Sequence, residues 1–173
     1  FNMRRYDTPP IGRLVSPEQA AAYFMLGEST ITSADDPSRV GQAKRVVGFD
    51  PFVIDNPHIN GNRLLRILRD NPGIRCYLLN TGRVGGKDGA NITVEATTTA
   101  VREAMRETLE WRYDDILGYE IPSSLPVPQG EDLDPYRWYS REEYASMIGD
   151  LRRERREYLQ QFKGLAPEIV DGV

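Results

Sequence analysis

Hydrophobic residues recur at helical spacing in four segments of the chain, and each segment is bordered by helix start or stop signals. The sharpest start signal is Ser16, a capping serine that is followed by Pro17 and, three residues after the cap, by Gln19. This pattern predicts a helix that runs to Leu26 and ends at Gly27. The residues predicted to face inward are Ala21, Phe24 and Met25.

The other three predicted helices have weaker or longer boundaries. One is capped by Asn60 and stops at residues 71–73, and the next begins near Thr97. The last follows Ser140, which opens a second capping box, and is ended by Gly164. The residues aligned on one face are Val101, Ala104, Met105 and Leu109 in the third helix, and Tyr144, Met147, Ile148, Leu151, Tyr158, Leu159 and Phe162 in the fourth.

Strand and loop signals lie between these helices. Residues 74–79 have the length and composition of a buried strand, and they lead directly into the glycine-rich residues 80–89. The polar residues 28–44 predict a long surface loop or a pair of ragged strands. Residues 48–54 resemble a turn more than a strand, and the proline-rich residues 122–128 predict a surface segment. The mixture predicts an α/β fold of the mixed α+β kind.

Composition narrows the classes of partner and site. The 173 residues include 22 Lys and Arg against 26 Asp and Glu, a net charge of −4, so we expect no nucleic-acid and no membrane partner. A single cysteine, Cys76, and a single histidine, His58, exclude a disulfide framework and a pair of histidine metal ligands. Because no apolar run approaches the about 18 residues of a membrane helix, we expect a soluble, cytoplasmic protein.

The glycine-rich loop is the first candidate for chemistry. A strand followed by Thr81 and a Gly-Gly-Lys ending at Lys87 is close to a phosphate-binding loop, but the first glycine of the GxxxxGK[ST] pattern falls on Thr81. The position for the metal-binding hydroxyl is Asp88. We favour a structural turn that needs positive φ angles. The alternative is anion contact by Arg83 or Lys87.

Charged residues supply further candidates. Arg39, Lys44 and Arg45 follow Asp36 without neighbouring acids, so they are candidates for contact with an anionic ligand. A second group of arginines alternates with Glu154 and is typical of a solvated, salt-bridged helix face. The members of this group are Arg152, Arg153, Arg155 and Arg156.

Single reactive side chains have both structural and functional interpretations. For His58, a surface or capping role is favoured over a general base. For Cys76, a buried inert thiol is favoured over a nucleophile. The carboxylate groups are interpreted as caps and solvated turns rather than as acid/base pairs, because adjacent residues point in different directions. These groups are Asp35 with Asp36, Asp114 with Asp115, and Glu131 with Asp132 and Asp134.

Several short stretches together resemble the C-terminal part of ATP-dependent phosphoenolpyruvate carboxykinase. They are PPIGRL at 9–14, SPEQA at 16–20, FMLG at 24–27, GFDPF at 48–52, LNTGRVGG at 79–86, ILGYEIP at 116–122, and LDP at 133–135 with Trp138. They look like that family's patterns PP-[IV]-x-[KR]-L, PEQA, F-L-x-G, G-x-P-F, V-N-T-G-W-x-G-G and F-G-L-x-[VI]-P…L-N-P-R-x-x-W. The shared order and spacing extend over nearly the whole chain.

The resemblance implies a single domain over residues 1–173 that forms the C-terminal, nucleotide-facing lobe of the carboxykinase fold. The family converts oxaloacetate and ATP to phosphoenolpyruvate, ADP and CO2 with Mg2+ and Mn2+, a reaction of gluconeogenesis. Its phosphate loop, metal ligands and catalytic residues precede the stretch represented here. We therefore expect a C-terminal piece that meets nucleotide and substrate through a preceding catalytic half, contains no catalytic residue or metal ligand, and is inactive alone.

The family segment that the resemblance assigns to adenine binding, of the form ERGITEPTPT, falls within residues 28–41, where this sequence departs from it. Arg39 stands in for the arginine that packs on the base, and Lys44 and Arg45 add positive charge near the phosphates. A second departure is Arg83 in place of the tryptophan of the glycine loop. These departures motivate a second hypothesis, a non-catalytic binding or assembly module on the same fold with a degraded nucleotide site.

Overall fold

A computed structural model describes residues 1–3, 5, 7–31, 36–40, 42–49, 56–128 and 130–173. The strands are β1 Asn2–Met3, β2 Ile11–Arg13, β3 Glu28–Thr30, β4 Ala43–Arg45, β5 Tyr77–Asn80, β6 Arg83–Val84, β7 Ala90–Asn91, β8 Trp111–Asp114 and β9 Tyr119–Pro122. The α-helices are α1 Pro17–Leu26, α2 Pro57–Asp70, α3 Val94–Met105, α4 Arg141–Gln160 and α5 Pro167–Val170. This mixture of helices and sheets confirms the predicted mixed α/β class.

The chain forms two compact units, described here one at a time. The first unit comprises residue 1, residues 15–75 and residues 152–173, so it contains α1, α2, α5, the β3–β4 hairpin and the last part of α4. The second unit comprises residues 2–14 and 76–151 and contains the remaining strands, α3 and the first part of α4.

In the first unit, α1 has the predicted boundaries. The Ser16 hydroxyl accepts a hydrogen bond from the Gln19 amide at 3.1 Å, and Gly27 ends the helix with a φ of 49°. A Cβ at Gly27 would overlap the carbonyl oxygen of Val46, so the position requires glycine on both counts. Ala21 and Met25 are buried as predicted. Phe24 is only half-buried, and its neighbour in the chain, a tyrosine, is buried instead.

The second helix of this unit, α2, ends where the sequence predicts but begins earlier. Its first residue is Pro57 and its cap is Asn56, so the prediction that Asn60 caps it is wrong. Proline at the first helical position has its φ angle already set for a helix and has no amide hydrogen to leave unpaired, which explains the earlier start. Of the two alternatives predicted for residues 28–44, the structure has the pair of short strands, since Glu28–Thr30 pairs antiparallel with Ala43–Arg45; residues 32–35 and 41 lie outside the described part. Of the predicted turn at 48–54, residues 50–54 lie outside the described part.

In the second unit, a five-stranded sheet has the order β1-β5-β2-β9-β8, with β1 parallel to β5 and the other neighbours antiparallel. The predicted strand at 74–79 is shorter, begins at Tyr77 and lies inside the sheet. The β8–β9 hairpin has no counterpart among the predicted elements. One hydrophobic cluster of this unit consists of Ile11, Val84, Ile92, Ala96, Ala100, Ala104, Leu109, Leu125 and Leu133.

The helix that contributes to this cluster, α3, begins at Val94 after a Thr93 cap, three residues before the predicted start. Its buried face includes Ala100 and Ala104, and these small side chains let α3 lie close to β2. The prediction that Met105 faces inward is wrong, because this side chain is 81% exposed. Met105 is the last residue of the helix, where no part of the cluster covers it.

Helix α4 has the predicted capping box. The Ser140 hydroxyl accepts from the Glu143 amide at 3.2 Å, and the Glu143 carboxylate accepts from the Ser140 amide at 3.0 Å. The helix ends at Gln160, four residues before the predicted stop at Gly164. Its buried positions are Tyr144, Ile148, Leu151, Arg155 and Leu159.

Candidate functional site

The β3–β4 hairpin of the first unit contains the three residues predicted to meet a nucleotide. Arg39 ends a short 3-10 turn, Pro37–Arg39, which Asp36 caps by accepting a hydrogen bond from the Ser38 amide at 2.9 Å. The Arg39 side chain is exposed, and its Nε donates to Oε1 of Gln42 at 3.1 Å. Arg39 therefore lies at the surface, on the segment that connects the two strands.

Lys44 and Arg45 are consecutive in β4, so their side chains point to opposite faces of the hairpin. Arg45 Nη2 donates to Oε1 of Glu154 at 2.7 Å, and Nη1 lies 3.5 Å from the Glu28 carboxylate. The Arg45 guanidinium also lies over the Tyr158 ring, 4.4 Å from its centre. The structure thus places Arg45 in an ion-pair network and Lys44 on the other face.

A buried ion pair adjoins this hairpin. Arg155 Nε donates to Oε1 of Glu28 at 2.9 Å, and Nη2 donates to Oε2 at 2.7 Å, which is the two-pronged geometry that arginine forms with carboxylates. Arg155 Nη1 also donates to the Tyr23 hydroxyl at 3.0 Å. Arg155 is 3% exposed and Glu28 is 4% exposed. The prediction that Arg155 lies on a solvated face is therefore wrong, whereas the neighbouring Arg153 and Arg156 are exposed as predicted.

Sequence reasoning missed this pair although one signal was present. The apolar residues Tyr144, Ile148, Leu151 and Leu159 recur at helical spacing, and Arg155 occupies the vacant position of the same face. An arginine on an apolar face needs a buried acid opposite it. The local Arg/Glu alternation concealed that requirement.

The glycine loop of the second unit is organised around Asn80, which is 1% exposed. Its Oδ1 accepts from the Gly82 amide at 2.9 Å and from the Arg5 amide at 3.0 Å. Its Nδ2 donates to the Thr8 carbonyl at 2.8 Å and to the Thr8 hydroxyl at 3.2 Å. Asn80 therefore fastens the start of the loop to the N-terminal segment of the same unit.

Beyond Asn80, the loop turns through two glycines in the left-handed region, Gly85 with a φ of 90° and Gly86 with a φ of 71°. A Cβ at Gly85 would overlap the indole ring of Trp138, so this turn also needs the space that glycine leaves. The structural-turn interpretation is confirmed at both positions. Arg83 donates from Nη2 to Oδ1 of Asn91 at 2.8 Å, and the Lys87 side chain lies outside the described part, so anion contact by these two residues stays a prediction.

The remaining candidates have structural surroundings. His58 lies half-buried in the first turn of α2. Cys76 is half-buried just before β5, and burial raises the pKa of its thiol, which disfavours the reactive thiolate. Burial, and then the hydrogen bond to Asp114, raise the pKa of the Tyr136 hydroxyl well above its usual value.

The predicted capping role of the carboxylates is confirmed at Asp114 and Asp134, whereas the ion pair of Asp115 and the burial of Asp114 differ from the predicted solvated turns. Asp114 is buried and its Oδ1 accepts from the Leu117 amide at 2.9 Å, while Oδ2 accepts from the Tyr136 hydroxyl at 2.8 Å. Asp134 accepts from the Tyr136 amide at 3.0 Å and caps a 3-10 turn. Asp115 pairs with Arg141 at 2.6 Å, and this contact lowers the pKa of the Asp115 carboxyl. Asp35 and the Glu131 side chain lie outside the described part.

Among the residues that the structure describes, no three His, Cys, Asp or Glu side chains form a group that could hold a metal ion. Within the same residues, no helix combines the length and the apolar character needed to cross a membrane.

Comparison with known proteins identifies relatives along almost the whole chain. The model of the phosphoenolpyruvate carboxykinase family matches residues 7–130. The phosphoenolpyruvate carboxykinase (ATP) of Aeropyrum pernix is 32% identical over 166 residues, which cover 96% of this chain and 32% of that protein. The enzyme of the same name from Thermus thermophilus is 31% identical over 173 residues, covering 94% of this chain and 32% of that protein.

The relatives are much longer than this chain. The chain spans about a third of the length of the curated relatives it matches. The family model covers most of the chain, from the residues before β2 to those after β9. The chain belongs to the phosphoenolpyruvate carboxykinase family.

Proposed function

We propose that this chain is the C-terminal, nucleotide-facing part of an ATP-dependent phosphoenolpyruvate carboxykinase, a lyase that converts oxaloacetate and ATP to phosphoenolpyruvate, ADP and CO2. The observation that carries the proposal is the extent of the match. Relatives named phosphoenolpyruvate carboxykinase (ATP) cover 96% of this chain but match it with only 32% of their own length. The catalytic residues then belong to the part of the relatives that this chain does not match, and residues 1–173 act as one C-terminal domain.

In this proposal the hairpin supplies the adenine side of the site. Arg39 would stack on or donate to the base, because a guanidinium offers a planar face and directed donors. Lys44 lies on the face of β4 opposite Arg45 and would add positive charge near the phosphates, whereas Arg45 would act within its ion pairs with Glu28 and Glu154. The proposal assigns nucleotide contact to this chain and the metal ligands to the part of the relatives that it does not match.

A kinetic assay of the full gene product tests this assignment. Arg39→Ala is expected to raise the KM for ATP about tenfold, since a lost charge-assisted contact is worth about 1.5 kcal/mol. The KM for oxaloacetate should stay unchanged. Arg66→Ala is the matched control, because Arg66 is equally exposed on α2 of the same unit. An unchanged KM for ATP in Arg39→Ala would remove the site assignment.

The isolated chain offers a second test. Titration with ATP should give weak binding or none, and oxaloacetate decarboxylation should be absent. Turnover by the isolated chain would contradict the proposed division of labour, because this chain would then contain the catalytic residues.

The altered adenine segment favours one alternative, a non-catalytic binding or assembly module on the same fold. Residues 28–41 depart from the family pattern, and an enzyme that uses ATP is expected to keep it. The gene distinguishes the two functions. A reading frame that continues upstream into a GK[ST] loop supports the enzyme, and a start codon directly before Phe1 supports the module.

A further inference from the structure

Helix α4 has a charged residue, Arg155, at a buried position. The buried positions around Arg155 hold Leu151 and Leu159, and an apolar residue at 155 would continue the same surface. Buried ion pairs are often matched or exceeded in stability by well-packed apolar residues, because the charges must be taken out of water. Stability alone therefore does not explain an arginine here.

Unlike an apolar side chain, the arginine forms hydrogen bonds that have a fixed direction. Two parallel N–H donors from Arg155 meet the two oxygens of Glu28 at 2.9 Å and 2.7 Å, and its third nitrogen donates to the Tyr23 hydroxyl at 3.0 Å. An apolar contact tolerates sliding, whereas this planar fork fixes both the distance and the angle of the carboxylate. The first residue of β3 is thereby held in one orientation relative to α1 and α4.

Glu28 is part of the β3–β4 hairpin, so fixing its orientation also fixes the orientation of the hairpin. Glu28 lies opposite Arg45 in the β3–β4 ladder, and beyond the ladder the Ile31 amide donates to the Gln42 carbonyl at 2.9 Å. Gln42 in turn holds Arg39 twice, because its amide donates to the Arg39 carbonyl at 3.1 Å and its Oε1 accepts from Arg39 Nε at 3.1 Å. The backbone of β3, its pairing with β4 and the hydrogen bonds of Gln42 thus connect the buried ion pair to the exposed guanidinium.

We propose that Glu28 and Arg155 are positioning residues that set the place of Arg39 in the nucleotide site. The inference rests on the proposed function, since Arg39 must meet the nucleotide for its position to matter. Arg45 and Glu154 carry charges of opposite sign beside the pair, so the four side chains together carry no net charge.

The test measures KM values for ATP and for oxaloacetate in the full gene product. Arg155→Lys keeps the positive charge but replaces the fork with a single ammonium, so we expect the KM for ATP to rise about fivefold. The KM for oxaloacetate should change less than about twofold, because the hairpin is proposed to contact only the nucleotide. A loss of folded protein would lower the apparent kcat and would raise neither KM, so the two effects can be told apart. Arg156→Lys is the control, since Arg156 is the next residue and is exposed.

Arg39→Ala, measured in parallel, separates the two levels of inference. A raised KM for ATP in both Arg39→Ala and Arg155→Lys supports positioning. A raised KM in Arg39→Ala with an unchanged KM in Arg155→Lys overturns positioning and leaves the proposed function standing. An unchanged KM in Arg39→Ala overturns both.

A second variant covers the case in which Arg155→Lys does not fold. Tyr23→Phe removes a single hydrogen bond from Arg155 and keeps the ring that packs 4.9 Å from its guanidinium. It is expected to raise the KM for ATP about twofold, the same direction with a smaller size. An unchanged KM for ATP in folded Tyr23→Phe would then overturn the proposal.

Discussion

Both units contain a buried polar hub, and the two hubs use different chemistry. In the first unit, Glu28 and Arg155 carry full charges at 4% and 3% exposure. In the second unit, the hub is the neutral side-chain amide of Asn80, which is 1% exposed. Both hubs join segments that are far apart in the sequence. The Asn80 amide forms hydrogen bonds mainly with backbone groups, whereas the ion pair joins two long side chains.

The difference matters for what happens when one partner is lost. Removing Asn80 leaves neutral amide and carbonyl groups without partners, and each such group costs about 1–3 kcal/mol when it stays buried. Removing Glu28 takes away the carboxylate that two nitrogens of the buried Arg155 contact, and breaking a buried ion pair costs more. The two units should therefore differ in their tolerance of a single substitution at the hub.

The largest effect is expected for Glu28→Ala, which should lower the free energy of unfolding by about 3–5 kcal/mol because it breaks a buried ion pair by removing one partner. Urea denaturation of the chain measures it. Glu154→Ala is the control, since this carboxylate is 63% exposed and also pairs with an arginine, and it should cost less than about 1 kcal/mol. Equal costs for the two variants would contradict the burial argument. The double variant Glu28→Leu with Arg155→Leu should recover most of the loss, because no charge is left unpaired.

A smaller loss, about 2–3 kcal/mol, is expected for Asn80→Ala, because the Gly82 amide and the Thr8 carbonyl lose their buried partner. The matched control is Asn91→Ala, which removes an exposed acceptor of Arg83 and should cost no more than about 0.5 kcal/mol. The same urea titration compares them. If Asn80→Ala proves as costly as Glu28→Ala, the neutral and ionic hubs are equivalent and the comparison fails.

Gly85→Ala probes the loop that Asn80 fastens. The left-handed φ of 90° and the overlap with Trp138 should cost about 1–2 kcal/mol. Gly73→Ala is the control, because a Cβ there has no neighbour within 4 Å. Thermal denaturation followed by circular dichroism should show a lower melting temperature for Gly85→Ala alone. A similar melting temperature for both variants would mean that the loop relaxes freely.

The smallest effect has the opposite sign. Gly149 lies in the interior of α4, is exposed, and leaves open space where a Cβ would be, so Gly149→Ala should stabilise the protein by about 0.5–1 kcal/mol. Calorimetry should show a melting temperature about 1–4 °C higher. If calorimetry shows two transitions and only one of them shifts, the first unit, which contains the end of α4, unfolds independently of the second unit, which contains Gly149. A lower melting temperature would contradict the prediction.

Features that depend on neighbouring residues were predictable from the sequence. The cap at Ser16 and the capping box at Ser140 each involve residues three apart, so their geometry is set locally. The start of α2 was misplaced because two local signals compete, and the proline at 57 prevails over the asparagine at 60. The β8–β9 hairpin was missed because each of its strands is only four residues long and its pairing is decided by the rest of the sheet.

Features that depend on distant partners were not predictable. Arg155 was misread because its partner, Glu28, lies 127 residues away. The turn at Asn80 was recognised, but its partners Thr8 and Arg5 lie 72 and 75 residues earlier. The position of Arg39 was predicted as a surface loop, and its link through Gln42 to a buried ion pair follows only from the folded hairpin.

The distance between Glu28 and Arg155 has a consequence for synthesis. A ribosome adds about 5–20 residues per second, so the 127 residues between the two partners take about 6–25 s to make. During that interval residues 76–151 of the second unit are made before α4 can bring Arg155 to the Glu28 carboxylate. The first unit therefore cannot be completed until residues 152–173 have been made, and until then Arg155 cannot pair with the Glu28 carboxylate.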